Sequence, residues 1–297
     1  MAPSVRTTLA GAVSVAVSAA LLAALGPTPA SQGAAATTAS TAATRVGTYN
    51  IQAKVSTATF KQAVDAFTPY VDVAGFQEVN NRDKGGYLND LPGFASYRPG
   101  QTTGAQNPVI WRTDRFSLIS ARSVRISRTW FIGDEWPAGG RYLQASYAAV
   151  VRLNDRLTGR PLVLVNVHLV PGAVTMGKAT PGRPKMFQLY VRQVANLLEL
   201  VKAERAHGRV FATGDYNAGW KADERVRRTR LPFMSFRRIY FKSNWATERP
   251  ARRGTHSLSL IDQVYSVFRA SDARVLFSIG YSDHYPGLGT YQLPVVS

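Results

Sequence analysis

The chain has 297 residues, 36 Lys and Arg against 18 Asp and Glu, no cysteine, and a formal net charge of +18. A hydrophobic content of 45% with 13 Tyr, 13 Phe and 5 Trp excludes a disordered or collagen-like chain. Without cysteine there is no disulfide framework, thiolate metal site or cysteine nucleophile, so any bound metal takes oxygen or histidine ligands.

At the N-terminus, Arg6 is the only charge before Arg45, and an apolar run follows it from Leu9 to Leu25. Thr28-Pro29-Ala30 offers small residues for cleavage, so residues 1–30 read as a signal peptide cut near Ala30 and the protein as secreted. The run is Ala-rich and short for a membrane anchor, which is the competing reading. Residues 31–44 are rich in Ala, Thr and Ser and read as a flexible leader, leaving residues 45–297 as one domain.

Short apolar runs bounded by turn residues predict strands over Arg45–Ile51, Asp72–Val79, Pro108–Trp111 and Ser146–Leu153. Four more follow over Leu162–Val170, Val210–Thr213, Leu258–Val267 and Arg274–Ile279. Helical periodicity appears over Thr57–Phe67 and, more strongly, over Phe187–Ala206, where Val194, Leu197, Leu198 and Val201 make one stripe. Near-continuous apolar strands between amphipathic helices argue for an α/β layered fold over a plain β-sandwich.

Residues 225–253 carry ten Lys and Arg against one acid, Glu248, half the formal charge of the chain. Phe233, Phe236, Tyr240, Phe241 and Trp245 interleave with them. The stretch reads equally as a solvated basic loop over a small satellite core or as a surface for an anionic substrate.

Polar residues with chemical potential sit at the ends of the apolar runs, where sites are built. Asn50 ends the first run, Glu78 the second and His168 the fifth, with Asn166 on the same face as His168. Gly214-Asp215-Tyr216-Asn217 ends the next, and if it stays extended Asp215 and Asn217 share a face. Asp262 and the pair Asp283-His284 complete the set. Singly, each has a structural explanation as a turn, a core histidine or a surface pair. Together, carboxylates, amides and two histidines suit a hard divalent cation combined with acid–base chemistry.

The order and contexts of Thr48-Tyr49-Asn50-Ile51, Gln77-Glu78, Asn166-Val167-His168-Leu169, Gly214-Asp215-Tyr216-Asn217, Ile261-Asp262-Gln263 and Ser282-Asp283-His284 resemble the motif series of the endonuclease/exonuclease/phosphatase superfamily. The resemblance implies a four-layered α/β sandwich, two mixed β-sheets face to face and flanked by helices, with the site at one end. It implies Glu78 as the principal Mg²⁺ ligand, with Asn50 and Asp283 near the metal; Mn²⁺ or Ca²⁺ are alternatives. His284 resembles the general base and Asp262 the carboxylate orienting it, while Asp215 and Asn217 resemble the pair that positions the nucleophile. His168 resembles the second histidine, which stabilises the phosphate or protonates the leaving oxygen, and Arg141 is a further candidate for a phosphate contact. One departure is the absence of any Glu between Glu78 and Glu135 to support His168, as pancreatic-type deoxyribonucleases have.

The implied chemistry is metal-assisted phosphoester hydrolysis, and charge is left to choose the substrate. Loss of the leader removes only Arg6 and leaves +17, a field that favours nucleic acid. The expectation is therefore a secreted nuclease, monomeric and without an obligate protein partner. In the superfamily the segment matching residues 225–253 lies near the substrate groove, where it would contact phosphates and stack on bases. A phosphodiesterase acting on phospholipid head groups, with Trp130, Phe131 and Trp136 at a membrane surface, is one alternative. A phosphomonoesterase and, remotely, a catalytically dead polyanion-binding protein are the others.

Overall fold

Period-two alternation along the apolar runs sorts their side chains into layers. The computed structural model describes residues 40–136, 139–247 and 253–296. One six-stranded sheet holds β1 (Thr41–Asn50), β2 (Val73–Gln77), β3 (Phe94–Tyr97), β4 (Val109–Arg112), β15 (Asp272–Val275) and β16 (Gly287–Pro294), in the order β15-β16-β1-β2-β4-β3. The other holds β5 (Phe116–Ser127), β8 (Ser146–Asp155), β9 (Arg160–His168), β12 (Arg209–Asp215), β13 (Lys242–Ser243) and β14 (Asp262–Ser266), in the order β13-β14-β12-β9-β8-β5. Two small hairpins, β6 (Trp130–Phe131) with β7 (Tyr142–Leu143) and β10 (Val174–Thr175) with β11 (Lys178–Ala179), lie outside the sheets. Both large sheets are mixed: β1 runs parallel to β2 and β9 to β12, while the other pairings are antiparallel.

The inner faces meet in one core, with Val46, Val73, Val109 and Tyr291 from the first sheet against Val151, Leu164, Phe211 and Val264 from the second. On the outer face of the first sheet lie α1 (Thr57–Phe67) and α2 (Arg82–Asn89). Helix α1 begins where the Ser56 hydroxyl accepts from the Thr59 N–H, and Phe60, Ala63, Val64 and Phe67 form its buried stripe. The second sheet is covered by α3 (Pro184–Glu204) and α5 (Pro232–Arg237), with α4 (Trp220–Val226) packed beside α5. Pro184 at the first helical position starts α3 a turn earlier than the periodicity predicts. At its other end the buried Glu204 carboxylate takes Arg152 and Arg122 from the sheet below, at 2.8 and 2.6 Å. The four layers are those expected.

Several boundaries move. Thr41–Thr44, expected as the tail of a flexible leader, are the first part of β1, paired residue by residue with Pro294 to Tyr291 of β16. Backbone pairing stitches them in, which their Ala/Thr composition does not advertise. Residues 1–30 and 31–39, read as signal peptide and leader, lie outside the described residues. Leu258, expected in a strand, is an exposed turn residue, and the strand begins at Asp262. Strands β5 and β16 were not expected, because β5 is a Ser/Arg-rich edge and β16 opens on Gly287-Leu288-Gly289. Among the described residues no helix is long and apolar enough to cross a membrane.

Candidate active site

The same alternation delivers the chemistry. In β9, Leu162 and Leu164 face the other sheet, so Asn166 and His168 do as well; in β12, Phe211 sets the parity for Thr213 and Asp215. In β14, Val264 does so for Asp262, and in β1, Val46 does so for Thr48 and Asn50. Strand register then aligns them: Asp215 is paired with His168 on one side and with Asp262 on the other. Gly214 permits that row, since a Cβ at its φ of 154° would lie 2.1 Å from the Val167 carbonyl oxygen.

Glu78 breaks the parity. Ala74 and Phe76 of β2 face the helices, and Glu78 would follow them, but its φ of 64° turns it toward the site. There Asn50 Nδ2 donates to Glu78 Oε1 at 3.2 Å and to Asp215 Oδ2 at 3.1 Å, tying the two sheets' carboxylates together. The Ala53 N–H donates to Glu78 Oε2 at 2.8 Å, and buried Lys84 of α2 fixes that loop by donating to Ala53 O at 3.0 Å. Deeper between the sheets, Asn166 accepts from Gln77 Nε2 at 2.7 Å and donates to Phe76 O and Pro108 O. Gly75 makes room for it, because a Cβ there would be 2.2 Å from Asn166 Oδ1. Asn166 is thus a tie between the sheets, set back from the reacting end.

The loop before β16 carries Asp283 and His284. The Ser282 hydroxyl donates to Asn50 O and accepts from the Gln52 N–H, both at 3.0 Å, seating the loop on the end of β1. Gln52 Nε2 donates to Asp283 Oδ2 at 2.9 Å. His284 Nδ1 and Asp262 Oδ2 are 2.8 Å apart and buried, which leaves Nε2 directed at Asp215 Oδ2, 3.9 Å away. Burial alone would lower the His284 pKa; Asp262, with Asp215 and Asp283, outweighs it and raises the imidazole to about 10. Across Asp215, His168 Nε2 stands 3.5 Å from the same Oδ2.

Asn50, Glu78, His168, Asp215, Asp262, Asp283 and His284 are therefore brought together. Asn217 is adjacent but not on an extended strand with Asp215: β12 ends at Asp215, and Asn217, at φ 48°, donates its N–H to Asp215 Oδ1 and its amide to Leu169 O. Arg141 is not brought in. It is exposed in the β6–β7 hairpin with its guanidinium over the Phe131 ring, 5.6 Å from the centroid. His256 packs its ring 4.5 Å from that of His284. Gln52, Lys84 and His256 carried no sequence signal, since each acts only through a neighbour that the fold supplies, and Ser282 entered only as the first residue of its motif.

The donor set fits a hard divalent cation. Asn50 Oδ1 is buried without a hydrogen-bond partner while its Nδ2 joins Glu78 to Asp215, and among the described residues the ligand atoms of Asp215, Asp262 and His284, and those of His256, Asp283 and His284, lie within 4.8 Å of one another. Among the described residues none of these acids forms an ion pair with an Arg or Lys, in a chain with 36 such residues. Clustered, unneutralised carboxylates are costly unless a cation joins them.

The family model for the Endonuclease/Exonuclease/phosphatase family matches residues 47–284, from the start of β1's buried half to the dyad histidine. The chain belongs to that family. Solved members superpose over most of their length. An endonuclease/exonuclease/phosphatase family protein from Bacteroides thetaiotaomicron is 16% identical with a TM-score of 0.63, covering 86% of this chain and 99% of its own. A mannosyl-6-phosphatase from the same organism gives 17% and 0.61, covering 84% and 99%. D. rerio TDP2 complexed with a single-strand DNA product gives 14% and 0.61, covering 84% and 99%. At these identities the likeness establishes the fold. No functionally curated protein matches the sequence.

Proposed function

We propose that this family phosphoesterase is a secreted, divalent-metal-dependent phosphodiesterase whose substrate is nucleic acid. Nδ1 of His284 is held by Asp262, so Nε2 faces the reacting end. The surrounding carboxylates by themselves keep the imidazole protonated at neutral pH; a cation joined to them would lower its pKa, so that Nε2 takes a proton from an attacking water and the buried carboxylate stabilises the resulting imidazolium. Asp215, between the two imidazoles, positions the nucleophile, and His168 serves the leaving oxygen. A cation held by Glu78, Asn50 and Asp283 would neutralise charge on the phosphoryl oxygens.

The observation that carries the choice of substrate is the charge, +18 overall with half of it in residues 225–253. That stretch lies on the β13–β14 side of the site, where Trp245 Nε1 donates to Asp262 O at 3.0 Å. Its role is narrower than expected, however. Phe236, Phe241 and Trp245 are buried and Phe233 packs on the cluster around Trp245, leaving only Tyr240 among the five aromatics exposed. The stretch supplies phosphate contacts, while its rings build a core; Glu248, Arg249 and Arg252 lie outside the described residues. On the same fold, D. rerio TDP2 is complexed with a single-strand DNA product, whereas the Bacteroides thetaiotaomicron enzyme is a mannosyl-6-phosphatase.

A phospholipid reading draws on the exposed Phe131 and Tyr142, paired across β6 and β7, although Arg141 and Lys185 both lie over the Phe131 ring. The test is a substrate panel with the protein lacking its leader: plasmid DNA, RNA, sphingomyelin and a phosphomonoester, each with Mg²⁺ and with chelator. Plasmid or RNA cleavage that is abolished by chelator, by Glu78→Ala and by His284→Ala is the expected result. Sphingomyelin turnover with nucleic acid left intact would replace this reading with the phospholipid one.

A further inference from the structure

Beside His168, on the side of the site opposite the basic stretch, lies a cavity of about 370 Å³. Its walls come from separate parts of the chain: the loop over residues 103–107, the β6–β7 hairpin, the turn after β9 and the inward face of α3. Trp136, Leu143, Leu169, Pro171 and Leu189 make it apolar. Four carboxamides, Gln106, Asn107, Gln144 and Gln193, also line it, yet among the described residues no Arg, Lys, Asp or Glu does. In a chain with 36 cationic residues that is a selective exclusion.

The chemistry of the lining narrows the occupant. A second phosphate or a sugar phosphate would need cations, and a quaternary amine would need carboxylates or a closed aromatic cage. An acyl chain would leave the buried, unpartnered Asn107 Oδ1 unsatisfied. A neutral, flat group with its own donors and acceptors satisfies both the apolar walls and the amides. Gln193 is already committed, accepting from the Val170 N–H and donating to Ser127 Oγ. Asn107 is not: its Nδ2 donates to Tyr147 O at 3.1 Å, while its buried Oδ1 has no partner. The cavity volume, at the small end for ligand sites, suits one such group.

Resting on the nucleic-acid reading above, we infer that this cavity is a nucleobase pocket, taking one base adjacent to the scissile phosphate against Trp136 with its polar edge toward the carboxamides. The inference also supplies what the basic stretch lacks, because the aromatics there are spent on core packing. Phosphate contact and base contact then fall on opposite sides of the His168–Asp215–Asp262 row.

The test uses the full chain without its leader and short DNA or RNA strands in which one base-free nucleotide is stepped through the positions around the cleaved bond. The expected result is a single position at which loss of the base lowers kcat/KM by about tenfold or more. In Trp136→Ala that penalty disappears, Trp136→Phe restores it, and exposed Gln144→Ala weakens it, which separates base contact from misfolding. Indifference to base removal at every position, or a penalty unchanged in Trp136→Ala and Gln144→Ala, overturns the pocket. Should no nucleic acid be cleaved while a nitrophenyl phosphodiester is, the nuclease reading fails by itself. The pocket is then judged by binding of a nucleoside 5′-monophosphate against ribose 5-phosphate. Tighter binding of the nucleotide, lost in Trp136→Ala, upholds it, and equal binding overturns it.

Discussion

Replacing Asp223 by Asn is expected to remove a pH dependence of stability that originates under the basic stretch. Asp223 lies on α4, almost wholly buried; its Oδ2 accepts the Phe233 N–H at the start of α5, at 2.8 Å, and its Oδ1 has no partner. Burial outweighs that one hydrogen bond and raises the carboxyl from 3.8 to about 7. In the unfolded chain it ionises at the ordinary value, so between pH 3.8 and about 7 the unfolded state has lost a proton that the folded state keeps. The stability is fully present below 3.8, falls as pH rises across that window and is flat above it. At 1.36 kcal/mol per decade the loss at pH 8 is about 4 kcal/mol. Asn reproduces the neutral acid, accepts the same N–H, and does not ionise. Urea unfolding of wild type and Asp223→Asn at pH 5 and pH 8 measures it, the difference between the two proteins cancelling every other titrating group. Part of the loss has already occurred at pH 5, so the variant is expected to gain about 2.5–3 kcal/mol on wild type between the two pH values. A constant difference would refute the reasoning and place the Asp223 carboxyl in contact with water or an unrecognised partner.

Other variants probe the site and its support. Asp262→Asn leaves the shape of the dyad but withdraws the charge that stabilises the imidazolium; kcat should fall about 10²–10⁴-fold with an unchanged circular-dichroism spectrum. Asn50→Ala removes the unpartnered Oδ1 and the amide joining Glu78 to Asp215, so the Mg²⁺ concentration for half-maximal activity should rise about tenfold or more, while unfolding shifts less. At the far end of the sandwich, Arg115 donates to buried Asp155 at 3.0 and 2.9 Å and to Asp72 at 3.2 Å, joining the two sheets. Arg115→Ala should cost about 3–5 kcal/mol in urea unfolding by leaving Asp155 buried and unpaired. Its effect on activity well below the unfolding midpoint should be small.

Much of the catalytic set was legible in the sequence because strands are written at period two, and a polar residue at the end of an apolar run has only two faces to choose from. Asn50, His168, Asp215 and Asp262 each follow their strand's inner-face residues into the site, and Asp283-His284 is a compact signature in its own right. The strands that frame the site were legible where they are apolar and hidden where they are Ser/Arg-rich or begin on glycine, as β5 and β16 do. Stretches of mixed composition misled in both directions. Thr41–Thr44 resemble a leader and form a strand, while the aromatics of residues 225–253 resemble a stacking surface and are mostly core.

The sequence alone determined the family and the layered class of the fold, and it singled out the candidate site residues, since these depend on local order and alternation. Tertiary structure decided their mutual placement. It turns Glu78 inward by one left-handed residue, sets Asp215 between His168 and Asp262 through strand register, and seats His256 on His284. It also keeps every described Arg, Lys, Asp and Glu out of the lining of the cavity beside His168. The site joins residues up to 232 positions apart, as Asn50 and Ser282 are. No local pattern can encode such a contact, because its energy exists only once both sheets have closed on each other.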